Sequence, residues 1–106
     1  MPAEGELAGP VRVLLVDDHR VVRSGVMAYL ELIEDIVVVG EASDGRQALD
    51  RLAGLEPTDD LPDVVLMDVK MPVMDGIVAT REIKSRWPQI EVVAMTSFVE
   101  EAGDRS

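Results

Sequence analysis

Three aspartates and two hydroxyl residues carry most of the chemistry this sequence offers. Asp17 and Asp18 follow the apolar run VRVLLV (Val11–Val16), Asp68 follows VVLM (Val64–Met67), and Thr96 and Ser97 follow EVVAM (Glu91–Met95). If these runs are parallel strands of one sheet, the carboxylates and hydroxyls converge on one rim. Like charges about 4 Å apart repel by ~4 kcal/mol per pair at an effective dielectric of about 20. Such a cluster must take up a proton, spread apart or bind a cation. The donors are oxygens and the sequence has no cysteine, so the matching ion is hard: Mg²⁺, or Mn²⁺ in its place. Mg²⁺ binds through one or two carboxylates together with waters and a phosphate, the donor set of a phosphoryl-transfer site.

Each feature has a plainer reading when taken alone. An Asp pair at a strand end can cap a helix or sit in a solvated turn, Asp68 could do the same, and Thr-Ser after a strand is commonplace. His19 reads as a turn or helix-start residue, and Met67, Met71 and Met74 read as packing. The joint placement at the ends of three strands is what favours a site.

The elements that must position these residues follow from hydrophobic period. Val11–Val16 is apolar on both faces, as suits a central parallel strand. From Arg20 to Ile33 the apolar residues Val22, Val26, Tyr29, Leu30 and Ile33 recur at helical spacing. Ile36–Val39 is a second strand closed by Gly40. Asp44 with Gln47 resembles a capping box opening a helix that turns Ala48, Leu49 and Leu52 inward and ends at Gly54. LEPTDDLP (residues 55–62) reads as a surface loop, Val64–Met67 as the third strand, and Met71–Gly76 as a turn-rich loop. Asp75 can cap a helix carrying Ile77, Thr80, Ile83 and Lys84 to Trp87, with Pro88 as its stop, and Glu91–Met95 is the fourth strand. The alternation predicts an α/β fold with a doubly wound parallel sheet, in which ligands gather at the carboxyl ends of the strands.

Composition narrows the classes further. The 106 residues allow one small domain, and 47% hydrophobic content is enough for a core. Aromatics are scarce, so the core is expected from Val, Leu, Ile, Met and Ala. Residues 1–10 read as a flexible leader and 100–106 as a polar tail. The net charge of −11, with scattered basic residues, argues against direct nucleic-acid binding by this chain. No apolar run reaches transmembrane length, and the lack of cysteine and of a signal peptide makes a cytoplasmic setting the expectation.

The segments LLVDDHRVVRSGV, DVVLMDVKMPVMDGIVATREIK and VVAMTS resemble, in order and spacing, the receiver domains of two-component response regulators, with NarL/LuxR-type transcriptional regulators most similar. The resemblance covers residues 11–99 and implies a flavodoxin-like (CheY-like) fold. It implies that Asp68 accepts a phosphoryl group from a phosphohistidine of a sensor histidine kinase. It further implies that Asp18, with Asp17 acting through water, holds Mg²⁺ together with Asp68 and the backbone carbonyl of Lys70. Thr96 is implied as the switch hydroxyl bound to the phosphoryl group, and Met71, Pro72, Asp75 and Gly76 as loop-shaping residues.

The same resemblance implies five strands and five helices, with a lysine ending the fifth strand. Residues 98–106 (FVEEAGDRS) supply no such lysine, so the expectation is a receiver truncated after its fourth strand. Strand four then becomes an exposed edge. Loss of buried aliphatic side chains at ~1.5–3 kcal/mol each rivals a domain stability of ~5–15 kcal/mol, so a marginal monomer, a homodimer or an element-swapped oligomer is expected. Lys70 could replace part of the lysine's charge, although its carbonyl is the group the resemblance assigns.

Three functions follow. The leading one is a phosphoacceptor, catalysing at most its own phosphorylation and dephosphorylation, which in a full-length parent regulates transcription through a C-terminal DNA-binding domain. The second is a pseudo-receiver that docks or titrates a kinase without phosphotransfer. The third, a haloacid-dehalogenase-like phosphatase, needs a second acid two residues after the nucleophile, where Lys70 stands.

Overall fold

The computed structural model describes residues 9–68 and 74–95. Of the leader only Gly9 and Pro10 are included; Lys70, Met71, Pro72, Thr96, Ser97 and the tail lie outside the described residues. The elements are β1 (Val11–Val16), α1 (Arg20–Glu31), β2 (Ile36–Ala42), α2 (Gly45–Leu55), a 3₁₀ turn (Glu56–Thr58), β3 (Val64–Asp68), α3 (Gly76–Arg86) and β4 (Glu91–Met95). The strands pair in the parallel order β2-β1-β3-β4, as a doubly wound, flavodoxin-like sheet requires.

Helices cover β1 on both faces, and the alternation of its side chains divides the interior. Leu14 and Val16 join Ala48, Leu49 and Leu52 of α2, Ala79 and Ile83 of α3, and Val65 and Met67 of β3 in the main core. Val13 and Leu15 are also buried but lie outside that cluster, with Leu30 of α1, as the strand period of two demands. Asp63 fastens the opposite end of the sheet. Its Oδ2 and its carbonyl accept from the N–H groups of Arg12 and Glu91 at 2.9 and 3.0 Å, and its own N–H donates to the Arg12 carbonyl at 2.8 Å.

Several expectations are corrected. Gly40 does not end β2: the register shifts between Val13 and Leu14, Val39 is passed over, and pairing resumes with Leu14 opposite Gly40 and runs on to Ala42. Gly54 lies inside α2, at a position where nothing approaches the place of a Cβ, so its helical penalty of ~1 kcal/mol is the only cost. The expected loop opens as the 3₁₀ turn, which Asp59 stops with a left-handed φ of 62°. Tyr29 faces solvent at 64% exposure, so the inward stripe of α1 narrows to Val22, Val26 and Leu30. In α3 the buried residues are Gly76, Ala79 and Ile83. The core is not purely aliphatic: Trp87 is the largest of the fully buried side chains. The Arg86 guanidinium stands 4.4 Å from the centre of its ring, covering an apolar surface with a cation.

The start of α2 matches its sequence signal. Asp44 Oδ1 accepts from the Gln47 N–H at 2.8 Å, and Gln47 Oε1 accepts from Ser43 N–H at 2.9 Å, one residue earlier than in a standard capping box. Gly45 then donates its N–H to the Met74 carbonyl at 3.2 Å, joining α2 to the segment that enters α3. A Cβ on Gly45 would lie 2.6 Å from that carbonyl oxygen and 2.9 Å from Ala79 Cβ. Gly45→Ala is therefore expected to destabilise the fold by about 1–3 kcal/mol. Gly25→Ala, at an open position inside α1, is expected to stabilise it by about 0.5–1 kcal/mol. Urea denaturation of both variants followed by circular dichroism checks the opposite signs.

Candidate metal centre

The strand register brings two carboxylates together before any side chain is considered. Val16 pairs with Met67 across β1 and β3, so the next residues, Asp17 and Asp68, lie side by side at the carboxyl edge, and both are wholly buried. Asp18 and His19 follow at half-buried positions. These four residues offer one ligand atom each within 4.8 Å of one another. Asp17, Asp18 and Asp68 thus meet as the sequence predicts.

The backbone of Asp17 is held from two directions. Its N–H donates to the Ala42 carbonyl at the end of β2 at 3.1 Å, and its carbonyl accepts from the Arg23 guanidinium. Its Oδ1 accepts from the His19 N–H at 2.7 Å. Its Oδ2 is buried and has no hydrogen-bond partner among the described residues. An unsatisfied buried carboxylate oxygen costs upwards of about 1–3 kcal/mol, a cost that a coordinated cation removes. The donor set fits a divalent ion.

Two residues that sequence reasoning did not single out complete the surroundings. Arg23, one turn into α1, places Nε 2.8 Å from Glu41 Oε1 while holding the Asp17 carbonyl. Glu41 in turn accepts at its backbone carbonyl from Arg51 Nε at 2.6 Å. Arg23 was within reach of inference, since a cation six residues past an acid can fold back over a helix start. Glu41 was not, because only the irregular register of β2 brings it there.

His19 is the residue preceding α1, but its side chain makes no capping hydrogen bond. Its ring turns to the carboxylates instead, with Nδ1 3.1 Å from Asp18 Oδ1, 3.3 Å from Asp17 Oδ1 and 3.9 Å from Asp68 Oδ2. Burial works against the charged imidazole, but the three carboxylates outweigh it and hold the pKa above the ordinary 6.5. Asp75 and Gly76 lie apart from the cluster and start α3: Asp75 Oδ1 accepts from the Val78 N–H at 2.9 Å, and Gly76 is buried.

Known proteins share this architecture. The response regulator receiver domain family matches residues 13–104. The response regulator protein VraR of Staphylococcus epidermidis is 48% identical over 91 residues, which are 86% of this chain and 41% of VraR. The chain therefore spans about two fifths of the length of such curated relatives. Among solved structures, the signal receiver domain of the response regulator NarL from Mycobacterium tuberculosis superposes with a TM-score of 0.73 at 36% identity, over 83% of this chain and 67% of that one. RcsB from Salmonella enterica serovar Typhimurium, bound to a promoter in the presence of the phosphomimetic BeF₃⁻, gives 0.72 at 31% identity, over 83% and 43%. The parallel sheet, the acid cluster at its carboxyl edge and a family match spanning nearly all of the described residues agree: this chain is a member of the response regulator receiver domain family.

Proposed function

We propose that this receiver is a phosphoacceptor of a two-component phosphorelay, with Asp68 taking a phosphoryl group from the phosphohistidine of a sensor histidine kinase. The observation that carries this reading is the meeting of buried Asp68 and Asp17 with half-buried Asp18, from the ends of two adjacent strands, with ligand oxygens within 4.8 Å of one another. In the reaction an Asp68 carboxylate oxygen attacks phosphorus. The P–O bond forms as the P–N bond breaks, the imidazole leaves, and an acyl phosphate results. β3 fixes Asp68 before the encounter, so its carboxylate need not be reorganised during transfer.

Asp18, Asp68 and the backbone carbonyl of Lys70 are assigned to Mg²⁺ (Mn²⁺ in its place), with Asp17 acting through water. The ion, when bound, offsets negative charge on the phosphoryl oxygens. Thr96 is assigned as the switch hydroxyl. Met71 and Pro72 are assigned to shape the loop ahead of Asp75 and Gly76, whose capped helix start supports that role. The activity is confined to the chain's own phosphorylation and dephosphorylation.

The proposed setting is the cytoplasm, and among the described residues no helix is long and apolar enough to cross a membrane. RcsB on its promoter with a phosphomimetic supports a wider reading, in which phosphorylation in a longer parent regulates transcription through a separate DNA-binding region. The charge of −11 on these residues opposes their own contact with DNA.

Acetyl phosphate with Mg²⁺ is expected to produce one phosphoryl adduct, read by intact-mass spectrometry and Phos-tag mobility, that is missing from Asp68→Asn. An adduct that survives the substitution would overturn the assignment. A wild type that takes none would overturn it as well, in favour of a module that docks a kinase without phosphotransfer. Saturating Mg²⁺ is expected to raise the melting temperature of the wild type, by an amount equivalent to about 2.7 kcal/mol at a hundredfold excess over Kd, and to leave Asp18→Asn unchanged. In chelator the order reverses: Asp18→Asn is expected to melt higher, because one of three crowded charges is gone. Differential scanning calorimetry with and without Mg²⁺ reads both signs.

A further inference from the structure

We propose that the cleft at the carboxyl end of β2 binds a diphosphate-bearing small molecule, held by the guanidinium groups of Arg20, Arg23 and Arg51. The cleft holds about 440 Å³, and its lining includes Arg20, Arg23 and Ser24 of α1, Glu41 of β2, and Gln47 and Arg51 of α2. None of the clustered aspartates Asp17, Asp18 and Asp68 lines it. The inference therefore does not depend on the metal centre or on the phosphoacceptor reading.

Charge is concentrated here against the trend of the chain. Three of its 10 basic residues line the cleft, against one of its 21 acids, in a molecule of net charge −11. That acid is already engaged: Glu41 Oε1 accepts from Arg23 Nε at 2.8 Å, and the Glu41 carbonyl accepts from Arg51 Nε at 2.6 Å. The lining is left with a positive excess, and donors are left over as well. Among the described residues Arg51 makes no hydrogen bond beyond the one from Nε, and the Arg20 side chain makes none. Gln47 spends Oε1 on the Ser43 N–H at 2.9 Å, which leaves its amide nitrogen as a further donor.

Surplus donors and surplus positive charge in a polar cleft select an oxyanion. The guanidinium fork meets phosphate oxygens two at a time, and like charges lining one cleft are relieved when an anion enters. Two of the three forks are anchored in advance. Arg23 is held by the Glu41 carboxylate and the Asp17 carbonyl, and Arg51 by the Glu41 carbonyl, so binding costs little side-chain freedom. The volume falls within the ~300–1,000 Å³ of small-molecule sites and exceeds the needs of a single phosphate, which favours a diphosphate group. The location follows the rule that ligands of open parallel sheets gather at the carboxyl ends of strands.

The test is titration calorimetry on the full chain with pyrophosphate, ATP and citrate as probes, in EDTA so that no divalent ion recruits them to the acid cluster. Pyrophosphate is expected to bind the wild type more tightly than citrate. Arg20→Gln and Arg51→Gln are each expected to lower its affinity about tenfold, and Arg51→Lys, which keeps the charge but not the fork, to restore only part of it. ATP binding more tightly than pyrophosphate would identify the ligand as a nucleotide; ATP binding no more tightly would identify it as the free diphosphate anion. Arg20 is exposed and its side chain makes no hydrogen bond among the described residues, so Arg20→Gln keeps the test readable if the Arg51 variants do not fold. A wild type that binds neither phosphate probe, arginine variants that bind pyrophosphate as the wild type does, or citrate bound as tightly as pyrophosphate would overturn the proposal.

Discussion

Charge crowding at the carboxyl edge of β1 and β3 is the constraint on which the rest of this structure turns. Two fully buried aspartates and a half-buried third present oxygens within 4.8 Å of one another. At about 4 kcal/mol per pair, with an effective dielectric of about 20, their repulsion is comparable with a large part of a typical domain's stability of about 5–15 kcal/mol. The fold does not avoid this cost by turning the side chains outward. It fixes the Asp17 backbone from β2 and from α1, brings the His19 ring against the carboxylates, and places the positive end of Arg23 on the Asp17 carbonyl. Such a site is preorganised for positive charge, whether that charge belongs to an imidazolium or to a metal ion.

The irregular pairing of β2 makes this arrangement possible. Shifting a strand by one residue exchanges the faces of its side chains, and the residue passed over at Val39 does this once, midway along β2. Beyond it Ala42 lies opposite Val16 and is buried in the main core, while Glu41 lies opposite Leu15. Leu15 belongs to the other face of the sheet, outside that core, and there Glu41 meets Arg23. Without the extra residue the positions of Glu41 and Ala42 would be exchanged, and an acid would enter the core. Gly40 sits at the pairing that follows the irregularity, where a Cβ would come within 3.2 Å of Leu14 Cδ1. Its small size serves the close packing of two strands rather than the end of one.

This also explains what the sequence revealed and what it withheld. The alternation of strand and helix and the meeting of Asp17, Asp18 and Asp68 were legible, because hydrophobic period fixes the elements and parallel strands carry their terminal residues to one edge; the strand order came with the family resemblance. Asp44 and Asp75 were legible as caps because capping is local. Gly40 and Gly54 misled because glycine marks an end only when no tertiary contact or open helical surface accounts for it. Tyr29 was misplaced because a stripe of five apolar residues is wider than the face α1 buries. Trp87 escaped as core because it follows the last turn of α3, where Ile90 donates its N–H back to the Trp87 carbonyl at 3.0 Å and folds the chain over. The Arg23–Glu41 pair depended on an irregularity that no periodic pattern encodes.

Packing is uneven across the sheet in a way that suits the proposed chemistry. Four consecutive residues of β1, Val13–Val16, are buried, and β3 buries Val65, Met67 and Asp68, whereas no residue of β4 is fully buried and Val93 is 48% exposed. Local stability follows buried apolar contact, so the central strands that hold the carboxylates belong to the stiffest part of the described chain. Phosphoryl transfer gains from groups fixed in advance of the reaction, and the central strands supply that. A conformational signal needs an element whose displacement costs little. Thr96, the proposed switch hydroxyl, follows β4 directly in the sequence, so acceptor and switch are attached to strands of unlike burial.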